Sequence, residues 1–214
     1  MHRTEPLTLD EILDRALLLV RREGVDALSM RRLAEEVRVT PRSLYHHVPD
    51  KPALLIAMVE RVWASTFAEV QTPTDDPLEG LIQGMVALRR VWLAHNDLAS
   101  LAVAVVEPGE FLYEETQGMA FVLEVLGFPD VPLAYNAIQN LTMGYVSVAA
   151  NRRASSAYFG RDPQDVLRRA KRVFARRGAN DNHRGVLVGR FDEGDDKHFE
   201  AALRALVAGL LADA

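Results

Sequence analysis

Between Ser29 and Val48 the chain has room for two short helices and almost nothing between them. Ser29 is a suitable N-cap for a helix running from Met30 to Val37, because a serine hydroxyl accepts from the free backbone N–H groups of a first turn. Thr40 followed by Pro41 suits the cap and first position of a second helix ending near His47, since the fixed φ of proline fits that turn and its missing N–H is not needed there. Only Arg38 and Val39 separate the two. Helices joined so tightly cross at a steep angle. They need a small residue where they touch, a turn four positions on, and apolar residues on the inner face of the second helix. Ala34, the turn at Arg38, and then Val39, Leu44 and Val48 meet these needs in order. The outward positions of the second helix are Thr40, Arg42, Ser43, Tyr45, His46 and His47, groups that hydrogen-bond base edges or phosphates.

Charge supports this reading only locally. The 214 residues carry a formal net charge of −5, so a polyanion must be met by a patch and not by the chain as a whole. From Ala27 to Lys51, Arg31, Arg32, Arg38, Arg42 and Lys51 outnumber Glu35, Glu36 and Asp50, a local excess to which His46 and His47 can add. A second basic run, from Arg152 to Arg177, sets nine Arg and Lys residues against Asp162 and Asp165. Arg168, Arg169, Arg172 and Arg176 fall on one helical face there, with Val166, Leu167, Ala170, Val173 and Phe174 as the apolar side, which an amphipathic surface helix explains.

Apolar residues recur at helical spacing almost throughout, as in Ile12, Ala16, Leu19 and Val20, or Leu81, Met85, Leu88, Val91 and Trp92. The fold class expected is all-α, with about nine or ten helices divided by Gly, Pro and Asp breakers. Gly185 to Phe191 leans towards β but sits among Gly and Asp and reads as a loop, part of a connection over residues 177–197. A last amphipathic helix is expected from Phe199 to Leu211. The boundaries expected are 1–52 for the part containing the two short helices and 53–214 for a larger helical unit. With no cysteine, a polar Met1–Pro6 and no apolar run near the roughly 18 to 20 residues of a membrane span, the chain reads as a cytoplasmic protein with no membrane partner.

The run Leu33-Ala34-x-x-Val37-x-Val39-Thr40-x-x-Ser43-Leu44-Tyr45-x-His47-Val48-x-x-Lys51-x-x-Leu54-Leu55 resembles the DNA-binding signature of the tetracycline-repressor (TetR) family, over roughly Leu9 to Met58. Leu-Tyr-x-His-Val and the Phe199–Leu211 segment resemble the tetracycline-repressor branch in particular. The resemblance implies a helix-turn-helix protein that binds double-stranded operator DNA as a homodimer. It assigns Arg31 to a guanine edge and Arg42, Pro41 and Ser43 to the exposed recognition surface. Tyr45, His47, Lys51 and Thr40 fall at phosphate-contacting positions, and His46 can go either way. The turn position that is usually Gly holds Arg38. That residue either accepts a positive φ or the turn avoids one.

From Pro77 onward the resemblance implies a helical domain that dimerises and encloses a ligand. Pro132 to Ala150 is almost uncharged and must be buried, against a pocket or a partner subunit. Trp92, Met119, Asn140 and Met143 are the candidate pocket residues, since aromatic and Met side chains make adaptable walls and an amide orients a ligand. The branch places a metal-ligating His where this chain reads Ser100-Leu101-Ala102-Val103-Ala104-Val105, without a His. The expected effector is therefore a small apolar molecule with no metal and no cofactor, and a regulator without an effector stays open. The rival class is an enzyme built on His95 with Asp97, or on Asn180 to His183. Neither pair has a partner at catalytic spacing, so no catalytic residue is expected.

Overall fold

The computed structural model describes residues 6–70, 75–95, 97–99, 101, 110–158 and 196–212, together with residues 160, 162, 165, 168, 169, 172, 173 and 176. Within them the elements are α1 (Leu9–Glu23), a short 3-10 turn (Val25–Ala27), α2 (Met30–Val37), α3 (Pro41–Tyr45), α4 (Lys51–Val70), α5 (Pro77–Ala94), α6 (Glu110–Val125), α7 (Val131–Tyr158) and α8 (Asp196–Ala212). No strand occurs among the described residues, in agreement with the all-α expectation. None of their helices is long and apolar enough to cross a membrane. The β-leaning stretch and residues 177–195 of the expected connection lie outside the described residues. Its last two positions, Asp196 and Lys197, belong instead to the first turn of α8, which begins three residues before Phe199.

Each early helix starts where a side chain can satisfy its first turn. Thr8 accepts from the backbone N–H of Glu11 at 3.2 Å, Ser29 from that of Arg32 at 3.1 Å and Asp50 from that of Ala53 at 2.8 Å. Helical periodicity then selects what is buried: Ile12, Leu13, Ala16, Leu19 and Val20 on α1, and Met30, Leu33, Ala34 and Val37 on α2. Leu44 from α3 and Val48 close this small core, as the spacing predicted.

One apolar cluster runs on from there into the larger helices. Leu54, Met58, Val59 and Val62 of α4 face α1 on one side and α5 on the other. Trp63 of α4 meets Trp92 of α5 edge to face, with ring centroids 5.1 Å apart. The last helix is fastened to α5 by charge. Asp196 accepts from Arg89 Nη1 and from Arg90 Nε, each at 2.6 Å, and Arg204 pairs with Glu79 at 2.8 Å. Phe199 packs edge to face with Tyr145 of α7 at 5.3 Å and lies under the Arg89 guanidinium at 5.6 Å.

Candidate nucleic-acid interface

The turn between α2 and α3 settles the question the sequence left open. Arg38 adopts the left-handed conformation, with φ 58° and ψ 46°, and is the only non-glycine residue with positive φ among those described. The Val39 N–H reaches the Ala34 carbonyl at 2.9 Å and the Arg38 N–H reaches that of Glu35 at 3.3 Å, the paired capping bonds that close a helix on a left-handed residue. A residue with a Cβ accepts this conformation at a cost of about 1 kcal/mol. The arginine side chain stays exposed.

Two residues later Thr40 caps α3. Its hydroxyl accepts from the Ser43 N–H at 3.3 Å and lies 3.0 Å from the Ser43 hydroxyl, so the two share one donor and one acceptor. Leu44 is the buried side of this five-residue helix. Thr40, Pro41, Arg42, Tyr45, His46 and His47 are all exposed and Ser43 half-buried, so the structure brings the expected recognition residues to one surface. His46 and His47 follow the helix in a turn instead of extending it, with the His47 N–H bonded back to the Leu44 carbonyl at 2.9 Å. Lys51, half-buried, opens α4 beside them.

The guanidinium groups around this surface fall into two sets. Arg22 and Arg32 are committed to a network with Glu23 and Glu36, at 2.7 to 3.3 Å, that ties α1 to α2. Hydrogen bonds from Arg32 and Arg22 hold the Glu23 carboxyl below its ordinary range, and Arg22 does the same for Glu36. Arg31 is 86% exposed in its side chain and lies against Glu35 at 3.3 Å, a contact that a phosphate or a base edge can replace at little cost. Arg42 is exposed and has no carboxylate partner among the described residues. Sequence reasoning did not identify Arg61, which reaches from α4 to Asp10 at 2.6 Å and to Asp14 at 2.8 Å on α1 and so fixes the two-helix unit to the rest of the chain.

The candidate pocket residues come from three helices, and Trp92, Met119 and Met143 lie in or against one apolar cluster. Trp92 is fully buried on α5. Met119 on α6 and Met143 on α7 are half-buried, and Asn140 is exposed. The inward face of α7 is set by Ala134, Ile138, Thr142, Val146 and Ala149, and Asn140, two residues from both Ile138 and Thr142, lies opposite it. Within one chain Asn140 therefore does not join the others. Pro132 to Ala150, expected to be buried, keeps Leu133, Asn140, Gly144 and Val148 exposed. His95 caps α5 and accepts from the Leu98 N–H at 2.9 Å, in keeping with a helix stop. Asn180 to His183 lie outside the described residues. In the second basic run Arg168, Arg169, Arg172 and Arg176 are helical and exposed. Val173, expected on the apolar side, is exposed with them, because positions 169, 173 and 176 share one face.

Comparison with known proteins places this geometry. Residues 12–58 match the family model of bacterial regulatory proteins, tetR family. A curated HTH-type transcriptional regulator of Saccharopolyspora erythraea is 32% identical over 221 residues, covering 99% of this chain and 88% of that protein. The class A tetracycline repressor from transposon 1721 of Escherichia coli is 28% identical and covers 98% and 92%. Among solved structures, the Streptomyces coelicolor TetR family protein ActR in complex with actinorhodin superposes with a TM-score of 0.72 at 28% identity, covering 99% of this chain and 98% of that one.

Proposed function

The chain belongs to the TetR family of DNA-binding transcriptional regulators, and from that premise we propose that it represses transcription as a homodimer on a palindromic double-stranded operator, from which a small and largely apolar effector releases it. The observation that carries this reading is the surface of α3, where Arg42 stands exposed without a carboxylate partner among the described residues, amid Thr40, Pro41, Ser43, Tyr45, His46 and His47. Arg31 and Arg42 read base edges, and Thr40, Tyr45, His47 and Lys51 anchor the backbone. Residues 1–52 form the reading unit and 53–214 the dimerising and sensing unit, with α4 joining them.

A dimer is supported by what the chain leaves uncovered. α7 exposes Asn140, Gly144 and Val148, and α8, packed against it, exposes Ala201, Ala205, Ala208, Gly209 and Ala212. Apart from Arg204 the outer stripe of α8 is uncharged and small over three turns, which lets a second copy approach closely in a four-helix interface. A five-residue recognition helix also reads too few base pairs for specificity by itself, and a two-fold dimer doubles the site. The ActR complex with actinorhodin shows that a relative of this fold holds a small organic molecule, which supports the effector.

The test begins with palindromic DNA selected by the wild-type protein from a random pool. Arg42→Ala and Arg31→Ala each weaken binding by about 1 to 3 kcal/mol and relax base preference at one position per half-site. An isolated half-site binds far more weakly than the palindrome. Unchanged affinity in both variants, or equal binding to half and whole sites, overturns the reading.

A further inference from the structure

Glu115 of α6 is a carboxylate only 4% exposed, and no Arg, Lys or His pairs with it among the described residues. Its Oε2 accepts from the Tyr135 hydroxyl at 3.1 Å and its Oε1 from Gln139 Nε2 at 3.0 Å, both from α7. The Tyr135 hydroxyl lies 3.3 Å from Thr116 Oγ1 in turn. Buried carboxylates are ordinarily neutralised by a cation, because an isolated charge loses its hydration without return. An ionised carboxylate offers about four lone-pair sites, and the hydrogen bonds from Tyr135, Thr116 and Gln139 fill no more than three of them.

The neighbouring amide points the same way. Towards the ionised carboxylate Gln139 presents Nε2, and this leaves its Oε1 buried without a partner. What the cluster lacks is thus a donor, and beside a carboxylate the donor that satisfies both charge and hydrogen bonding is a cation. Met119 lies one turn beyond Glu115 on α6 and Met143 one turn beyond Gln139 on α7, both half-buried, so adaptable apolar wall adjoins the polar pair. Burial raises the carboxyl above its ordinary value, against hydrogen bonds from Tyr135, Thr116 and Gln139 that lower it.

We propose that Glu115 and the Gln139 carbonyl form a subsite for the ammonium group of the effector, which is a small, largely apolar molecule carrying a protonated primary amine. The proposal rests on the effector reading above and adds a charge to it. The three N–H donors of a primary ammonium match a carboxylate and an amide carbonyl, with the Tyr135 ring and the two Met side chains beside its carbon body.

The probes are 2-phenylethylammonium and its neutral near-isostere 2-phenylethanol, titrated calorimetrically into the full-length wild-type protein and Glu115→Gln at pH 7.5. The wild type binds the amine at least tenfold more tightly than the alcohol. In Glu115→Gln the two bind within threefold of each other, while its melting temperature equals or exceeds that of the wild type. A wild type that does not favour the amine overturns the proposal without recourse to any variant, and so does a preference that survives in Glu115→Gln. Operator binding in the presence of each probe separates this from the broader reading. If only the alcohol releases operator, the ammonium subsite is wrong and the effector stands. If the amine binds through Glu115 and operator affinity does not change, the subsite stands and the effector reading falls.

Discussion

Arg61 on α4 holds Asp14 on α1 through its Nε at 3.1 Å and its Nη2 at 2.8 Å, while Nη1 takes Asp10 one turn earlier. A planar fork bonded to two carboxylates on the same helix face fixes both the distance and the rotation of α1 against α4. Because α1 is tied to α2 through the Glu23 and Glu36 network, this guanidinium helps to set α2 and α3 relative to α4, alongside the apolar packing of α1 on α4. The side chain of Arg61 is 34% exposed, so the bonds contribute orientation more than stability. Arg61→Ala is expected to cost no more than about 1 kcal/mol in denaturant unfolding and yet to weaken palindrome binding severalfold in a fluorescence anisotropy titration. Equal affinity in the variant would show that α1 is seated by apolar contacts alone.

Lys51 and Arg42 should part company in a salt titration. A phosphate contact is sequence-blind, so Lys51→Ala lowers affinity for selected and random DNA alike and reduces the slope of log K against log salt by about one per subunit. Arg42→Ala lowers affinity for the selected palindrome more than for random DNA. Identical behaviour of the two variants would remove the distinction between anchoring and reading on this surface.

The turn at Arg38 is strained by its own side chain. Arg38→Gly relieves a left-handed residue of its Cβ and is expected to stabilise the protein by about 1 kcal/mol, or roughly 2 to 4 °C in a thermal scan of a chain this size. A lower melting temperature would mean that the arginine stem packs on its surroundings strongly enough to outweigh the strain.

Stability should also depend on pH with opposite signs at two places. The Glu115 carboxyl is raised by burial above the ordinary 4.5, so the stability linked to its protonated form is present at low pH and is lost as pH rises through the raised value. Without any amine, Glu115→Gln and the wild type should melt together near pH 4 and diverge towards pH 8, with the variant the more stable. Glu23 and Glu36 are lowered below 4.5 by hydrogen bonds from Arg32 and Arg22. Their contribution is present above that range and lost as pH falls through the lowered values, so Glu23→Gln flattens the acid limb of the melting profile.

The amino-acid order alone determined the helix-turn-helix. Its caps act over three residues, its apolar positions recur within one turn, and the two-residue connection leaves one steep packing, so Ser29, Ala34, Thr40, Leu44 and Val48 could be assigned without any distant contact. Local order did not decide the Arg38 backbone, because the alternative turns differ by only about a kilocalorie; the fold closes α2 with the Val39 and Arg38 N–H groups bonded to the Ala34 and Glu35 carbonyls. Asn140 falls off the inward stripe of α7 for a related reason. An amide among apolar neighbours looks inward-facing until the neighbours Ile138 and Thr142 are seen to take the buried side.

Glu115 left a trace in the sequence, since it precedes Met119 and Leu123 at four-residue steps and so lies on the apolar stripe of α6, unlike Glu114. Periodicity identifies such a stripe but not what faces it. That Tyr135 and Gln139 meet this carboxylate without a cation, that Arg61 finds Asp14, and that Arg204 finds Glu79 across 125 positions are matters of how helices stack. The sequence determined the helices and the exposed face of α3 because those are held by bonds within a turn. Only the tertiary structure decided which charges are paired and which acceptors are left waiting, because burial belongs to packed surfaces and not to any one segment.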